Sequence, residues 1–463
     1  MTVRIIGIDL AVTASHRAIV LDLASNSFVS KLLSFHANPA EMNGVLQAAR
    51  ANAPENVRLV AVLEATAMSW FPVSCYLLSQ GVEVYRVTGQ QTADQRRVYQ
   101  RHAKSDRIDA RLLARLYVTL PERLHRLHLP SGWQLELQRA CRERLRLTAQ
   151  IAAIKNRLLA TDRLAWLELR DILPPYEPAA RWIRNYWYNP WRVLETDAMA
   201  MAQAWRAQYP TQDTAPSWLY DLRQKAAQVV ALYGAPQCLD YERLQASVVR
   251  EQARLAELEA QLRHLRLKVI RPLYRQLHPQ RHLETLYGVG PDSAAIYVAF
   301  IGDVRRFPSL RQFRGWSGLI PFSDQSGNAQ AKGWPVTQSG PDPIKTTAFL
   351  DANIARLYDP QIAAVYHDQM VNKGKHHLQA ICACATHLLD RVYVILHENR
   401  PYELRDVDGT PIDARQARQI CKLRYQVPEE TRRRNNYRVR MARAQRRVEQ
   451  RYQQRERKQR SKG

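Results

Sequence analysis

Four carboxylates in the first quarter of the chain have the types and spacing to do chemistry. Asp9 stands in GIDLA at the end of one apolar segment, Glu64 follows the apolar run VRLVAVL, and Asp106 and Asp109 lie three residues apart in SDRID. On a helix, that last spacing puts both carboxylates on one face. Each has an ordinary structural explanation: a cap for Asp106, a first-turn dipole partner for Asp109, a turn for Asp9. Glu64 is the hardest to explain so, because an unpaired carboxylate after a buried strand is costly. Carboxylates gathered at one point repel unless a cation intervenes. Two Mg²⁺ (or Mn²⁺) ions about 3.5–4 Å apart would neutralise them and polarise a phosphodiester. Asp9, Glu64, Asp106 and Asp109 are therefore the candidate metal ligands and catalytic residues, with Lys104 and Arg107 beside them for phosphate contacts.

The elements needed to position them are legible in the pattern. Residues 3–10, 16–23 and 31–36 read as three short strands separated by polar turns. A helix is predicted at about 39–51, entered through Asn38 and Pro39, then a strand at 57–63, a helix near 69–80 and a strand at 82–87. A further helix spans 106–118, with Ile108, Leu112, Leu113 and Leu116 on one side. Three antiparallel strands followed by alternating helices and strands is an RNase H-like α/β order. If the first and fourth of these strands are neighbours, Asp9 and Glu64 end side by side.

Charge points to the class of partner. The 463 residues carry 68 Lys and Arg against 43 Asp and Glu, a net charge of +25, which favours a polyanion, nucleic acid first. The stretch from Arg96 to Arg146 contributes a net +8, and Arg432 to Lys462 contributes +12. That arginine-rich tail reads as a solvated end that orders on phosphates, with Arg432, Arg433 and Arg434 among its candidate contacts. Six cysteines without a CxxC pair argue against a disulfide scaffold and for a reduced cytoplasmic setting. No signal peptide is expected, and no apolar stretch reaches membrane-spanning length, so no membrane partner is expected.

Beyond Pro130 the chain turns helical. Leu147, Ile151, Ile154 and Leu158 have heptad spacing, and Val248, Leu255, Leu258, Leu262 and Leu265 repeat it; the two helices can pair with each other or with another subunit. Between them, residues 166–240 hold six of the ten tryptophans. A core built of aromatics is the favoured reading, and a stacking platform for unpaired bases, with Arg181, Arg184 and Arg192 beside the rings, is the alternative.

Residues 283–303 (LETLYGVGPDSAAIYVAFIGD) read as helix, glycine hairpin, helix. Gly288 and Gly290 would allow backbone N–H groups to approach a phosphate. A glycine- and serine-rich loop follows at 315–340, with Ser317, Ser326 and Ser339 each beside a glycine that leaves room for a bulky phosphodiester.

In this order, GIDLA, LEAT, KSDRIDA, YGVGP, GDVRRF, FRGWSGLIP and QSG resemble the DEDD-type transposases of the insertion-sequence 110 family. The later run from ARLYDPQIAAVYHDQ to LLDRVYVIL resembles that family's C-terminal helices. The resemblance implies a RuvC-like domain (1–125), a helical coiled-coil connector (126–282) carrying the aromatic insert, a mainly helical transposase domain (283–405), and a linker with the basic tail (406–463). It implies a recombinase in which a serine attacks a DNA phosphodiester, aided by metal-bound DEDD carboxylates, and in which a structured non-coding bridge RNA pairs with donor and target DNA. It also implies a homo-oligomer, dimer or tetramer, with composite sites, in a prokaryotic cytoplasm at the nucleoid. By resemblance the nucleophile is Ser326, in the first QSG; the second QSG makes Ser339 the alternative. Two other readings remain: a metal-dependent nuclease or junction resolvase without a serine, and a nucleic-acid-binding protein without catalysis.

Overall fold

A computed structural model describes residues 2–64, 66–98, 106–210, 217–235, 238–320, 325–326, 329–330, 337 and 340–460, without the side chains of residues 98, 106, 107, 123, 325, 326, 329, 330, 443 and 446–460. The chain divides into two units, Met1–Leu129 and Pro130–Gly463.

The first unit is built on one mixed sheet. Its strands are β1 (Val3–Asp9), β2 (His16–Asp22), β3 (Ser27–Phe28), β4 (Leu33–Phe35), β5 (Arg58–Glu64) and β6 (Glu83–Val87), in the order β3-β2-β1-β5-β6 with β4 also on β2. β1 and β2 are antiparallel, while β1, β5 and β6 run parallel. β3 and β4 pair with successive stretches of β2; β4 lies within the strand predicted at 31–36, while the two-residue β3 precedes it and was not predicted. Between them the ladder is interrupted, and the Ser30 hydroxyl accepts the Val20 N–H at 2.9 Å instead.

Alternation along the strands makes two cores. Ile6, Ile8, Ala61 and Leu63 face α1 (Pro39–Arg50) and α2 (Trp70–Ser79), whose Val45, Leu46, Val73 and Leu77 cover them. On the other face, Ile5, Val60 and Val62 meet Ala110, Leu113 and Ala114 of α4 (Asp106–Thr119). As predicted from the sequence, Asn38 caps α1 and Pro39 opens it; the Asn38 side chain accepts the Glu41 N–H. Before α4 lies α3 (Gly89–Val98), a helix the sequence reading did not predict.

Gly7 decides how closely α4 approaches the sheet. A Cβ at that position would lie 2.1 Å from the Ala110 carbonyl oxygen and 2.5 Å from the Ala114 nitrogen. Only glycine in β1, opposite two alanines, lets the helix backbone press against the strand.

The second unit is mainly helical. It holds α5 (Gly132–Trp166), α6 (Pro178–Tyr186), α7 (Pro190–Glu195), α8 (Ala198–Gln208), α9 (Trp218–Tyr233), α10 (Tyr241–His264), α11 (Arg271–Leu277), α12 (Pro291–Ile301) and α13 (Leu310–Ser317). After a small hairpin, β7 (Gln325–Ser326) and β8 (Ala329–Gln330), come α14 (Asp342–Ala355), α15 (Pro360–His367), α16 (His377–Glu398), α17 (Ala414–Arg424) and α18 (Glu429–Arg460). α16 is apolar and long enough to cross a membrane, but its Ile381, Leu388, Leu389 and Val392 lie in the unit's core.

The two heptad helices pair with each other within the chain. α5 buries Leu147, Ile151, Ile154 and Leu158, and α10 packs on it through Val248, Leu255 and Leu258. The ion pairs Arg157–Glu251 and Lys155–Glu259 set the two helices antiparallel.

Most of the described aromatic insert is core, the favoured sequence reading; of the arginines named for a stacking platform, only Arg192 lies over a ring, that of Trp187. Trp166, Trp182, Trp205 and Tyr188 are at most 2% exposed and belong to the same apolar cluster as the heptad leucines. Trp182, Trp205 and Trp218 meet edge to face at 5.1–6.0 Å. Arg184 does not flank a platform; it is buried, with Nη2 2.5 Å from Asp162 Oδ2, and Tyr188 donates to the same carboxylate at 3.1 Å.

Candidate active site

The two central strands end in carboxylates that line one cleft. In the parallel register Ile8 lies beside Leu63, so the next residues, Asp9 and Glu64, reach the same edge of the sheet. Carboxyl ends of parallel strands are where α/β folds commonly bind ligands. Here a cleft of about 340 Å³ opens, lined by Asp9, Ser15, Arg17, Glu64, Thr92, Arg96 and Asp109, among others.

Different local devices hold the three carboxylates. Glu64 ends β5 against Gly89, where an added Cβ would sit 3.0 Å from Glu64 Oε1. The carboxylate thus lies at the first residue of α3, the helix end that favours negative charge. The loop after Asp9 is pinned by Ala11, whose N–H donates to Nδ1 of His16 at 3.2 Å. Burial, and then the charge of His36, hold His16 below the usual histidine value, which favours the neutral ring that can accept this bond. Asp109 is 6% exposed because α4 lies against β1 at Gly7. Its Oδ1 accepts from Arg96 Nη2 at 2.5 Å.

Arg96 and Arg17 are the cations that the sequence reading did not place at this site. Arg17 could have been found from strand pairing, since it lies directly opposite Asp9 in the β1–β2 hairpin. Arg96 could not be found from periodicity: α3 reads GQQTADQRRV, with no apolar stripe to betray a helix.

The remaining site residues fall as follows. Asp106 and Arg107 open α4, with side chains outside the described residues, and Lys104 lies outside them altogether. Ser326 is in β7, its side chain likewise outside the described residues, and Ser339 also lies outside them. The stem of the serine loop is fixed: Thr337 N–H donates to Ile320 O at 2.9 Å, and Thr386 Oγ1 donates to Leu319 O at 2.8 Å. Ser317 is 1% exposed and donates to Arg314 O at 2.8 Å, which removes it as a nucleophile.

Gly288 has φ +87°, and a Cβ there would lie 2.3 Å from Asp351 O, so this glycine serves close packing on α14. Gly290 caps α12, and a Cβ added there would meet nothing within 4 Å. Only a 3-10 turn, His282–Thr285, stands where the helix before the hairpin was predicted. Arg432, Arg433 and Arg434 are exposed near the start of α18.

Comparison with known proteins identifies the family. A family model described as a transposase (the DEDD type of IS110) matches residues 6–161, and a second, for transposases of the IS116/IS110/IS902 family, matches residues 280–367. The chain belongs to the IS110/IS116 transposase family. Its similarity to the insertion element IS116 protein of Streptomyces clavuligerus is 23% identity over 409 residues, covering 85% of this chain and 95% of that protein. The insertion element IS110 protein of Streptomyces coelicolor is 23% identical over 322 residues, 68% of this chain and 76% of that protein. The pilin gene-inverting protein of Moraxella lacunata is 28% identical over 123 residues, 27% of this chain and 38% of that protein. The first match of this transposase covers every strand-end carboxylate of the cleft, and the second covers Gly288, Gly290 and both candidate serines.

Among the described residues, no three Asp, Glu, His or Cys side chains are drawn close enough to hold a metal ion. The oxygen-only donor set of the cleft nevertheless suits a hard divalent cation. Asp109 is held by Arg96 instead.

Proposed function

We propose that this transposase cleaves and rejoins DNA at the cleft where Asp9, Glu64 and Asp109 converge, and that its first unit is an RNase H-like, RuvC-like domain. The observation that carries this reading is the parallel register of β1 and β5, which brings two carboxylates 55 residues apart in sequence to one sheet edge. Asp106, one turn before Asp109, completes the set. Asp9, Glu64, Asp106 and Asp109 would hold Mg²⁺ or Mn²⁺, which supplies Lewis-acid polarisation of the phosphodiester when bound. Arg17 and Arg96 offset the carboxylate charge and keep the cleft able to accept an anionic backbone.

Ser326 is the proposed nucleophile and Ser339 the alternative. The serine oxygen bonds to phosphorus, one DNA P–O bond breaks, the hydroxyl proton leaves the serine, and the departing DNA oxygen is protonated. The phosphoserine link conserves the bond for rejoining to a second strand. We further propose that a structured bridge RNA selects donor and target DNA, and that copies of the chain assemble so that carboxylates and serine meet. The surplus of positive charge supports two classes of nucleic acid.

Two experiments test these parts. A covalent protein–DNA adduct should disappear in Ser326→Ala and persist in Ser339→Ala; the reverse moves the nucleophile to Ser339. Cleavage that survives both substitutions leaves a metal-dependent nuclease without serine chemistry. Sequencing RNA that copurifies with the protein should give one discrete species encoded beside its gene, and random cellular RNA contradicts guidance.

A further inference from the structure

Helix α18 is anchored near its start and exposed at Tyr437 and Met441 just beyond the anchor. Asn435 is 1% exposed, and its Nδ2 donates to the carbonyls of Met370 at 2.7 Å and Lys375 at 3.2 Å. The His377 N–H donates to Asn436 Oδ1 at 3.3 Å. One residue further on, Tyr437 is 63% exposed, and Met441 is 53% exposed a turn later. The tail read from sequence as a solvated end is thus a docked helix that projects beyond its dock.

Its sequence is poorly suited to stand alone in water. Residues 438–460 contain ten Arg and Lys against Glu449 and Glu456. Arg443, Arg447, Arg451 and Arg455 follow one another at four-residue steps, the spacing at which like charges in a helix repel. A polyanion alongside removes that repulsion. At 1.5 Å per residue, 438–460 spans about 34 Å, about one turn of B-form DNA. The major groove of B-DNA admits an α-helix, whereas that of A-form RNA is too narrow.

We infer that residues 438–460 of α18 form an arm that lies along duplex DNA, held to its unit by Asn435 and Asn436. The inference rests on the reading that this chain acts on DNA, and names the segment that grips the duplex outside the carboxylate cleft. Arginine suits that task because its guanidinium makes bidentate phosphate contacts.

The test uses the full-length protein, a variant with Arg443, Arg447, Arg451 and Arg455 all changed to Gln, and a chain ending at Met441, which keeps both asparagine anchors. Binding to a 30-base-pair duplex and to a structured RNA hairpin is measured across salt concentrations. For the fourfold variant, the slope of log affinity against log salt on duplex DNA should fall by about 3–4, near 0.9 per lost phosphate contact, with the RNA slope unchanged. The truncated chain should lose at least as much. An unchanged DNA slope in both, or a loss confined to RNA, overturns the arm. Asp9→Asn separates this inference from the site reading: it should keep the wild-type slope and lose strand cleavage. Cleavage retained in Asp9→Asn with a reduced slope in the arginine variant would overturn the cleft and leave the arm standing.

Discussion

Arg96 Nη2 lies 2.5 Å from Asp109 Oδ1 inside the cleft that Asp9 and Glu64 share. An arginine from the polar helix α3 thus occupies one of the carboxylates proposed to hold a cation. The pair keeps a nearly buried carboxylate compensated while the cleft is otherwise anionic. On the proposed reading, a bound cation would give Asp109 a second partner and leave the guanidinium able to contact phosphate.

Replacing Arg96 by Gln should therefore destabilise the cation-free protein by about 1–3 kcal/mol, the cost of leaving Asp109 poorly satisfied. Added Mg²⁺ should raise the melting temperature of the variant more than that of the wild type. Thermal unfolding with and without Mg²⁺ measures both, and equal Mg²⁺ shifts in the two proteins would show that Arg96 and the cation do not compete.

A second buried carboxylate gives the fold a pH dependence. Asp351 of α14 accepts from Ser293 Oγ at 2.7 Å and Tyr297 OH at 2.8 Å. Burial pushes its carboxyl up to about 7, against the opposing effects of those two hydrogen bonds and of Arg144. The folded state then holds a proton that the unfolded state has already released near pH 4. Stability from this group is full below the unfolded value and falls as pH rises toward 7, by an amount on the order of 4 kcal/mol. Asp351→Asn should flatten that part of the stability profile. Denaturant unfolding from pH 4 to 8, wild type against variant, reads the difference; parallel profiles would contradict it.

The aromatic insert should behave as core. Trp205, 1% exposed and packed on Trp182 and Trp218, should cost about 3–5 kcal/mol when changed to Ala, with no change in the salt dependence of nucleic-acid binding. Calorimetry and binding titrations together check it. A variant of full stability that binds RNA or single-stranded DNA poorly would restore the stacking platform.

What the sequence made legible follows from periodicity and from motif. The apolar strands, α1, α2 and α4, and the heptad leucines of α5 and α10 were readable because burial imposes a repeat of two or of about three and a half. Asp9 and Glu64 were readable because each interrupts such a run at its end. Arg96 was not, because α3 has no apolar face and its role depends on a contact with Asp109, 13 residues away. The short strand β3 was not, because it is only two residues long and is parted from β4 where one hydroxyl, Ser30, stands in for a ladder bond. The helical tail was not, because its helix-compatible residues carry mostly like charge. Its dock depends on Asn435 and Asn436, which look like loop residues in sequence. A truncation placed at Glu430 would remove that dock as well as the charge, so an end at Met441 is the cleaner cut.

The central claim is that the sheet edge where Asp9 and Glu64 meet is the strand-cleaving site. Its most direct test is the covalent adduct formed when the full-length protein, with its copurified RNA, is incubated with insertion-end DNA and Mg²⁺ and run on a denaturing gel. Asp9→Asn and Glu64→Gln should each retain DNA binding and reduce adduct and cleaved product at least 100-fold, on the order of what loss of a principal electrostatic contact costs. Adduct and cleavage at wild-type levels in both variants would contradict the account.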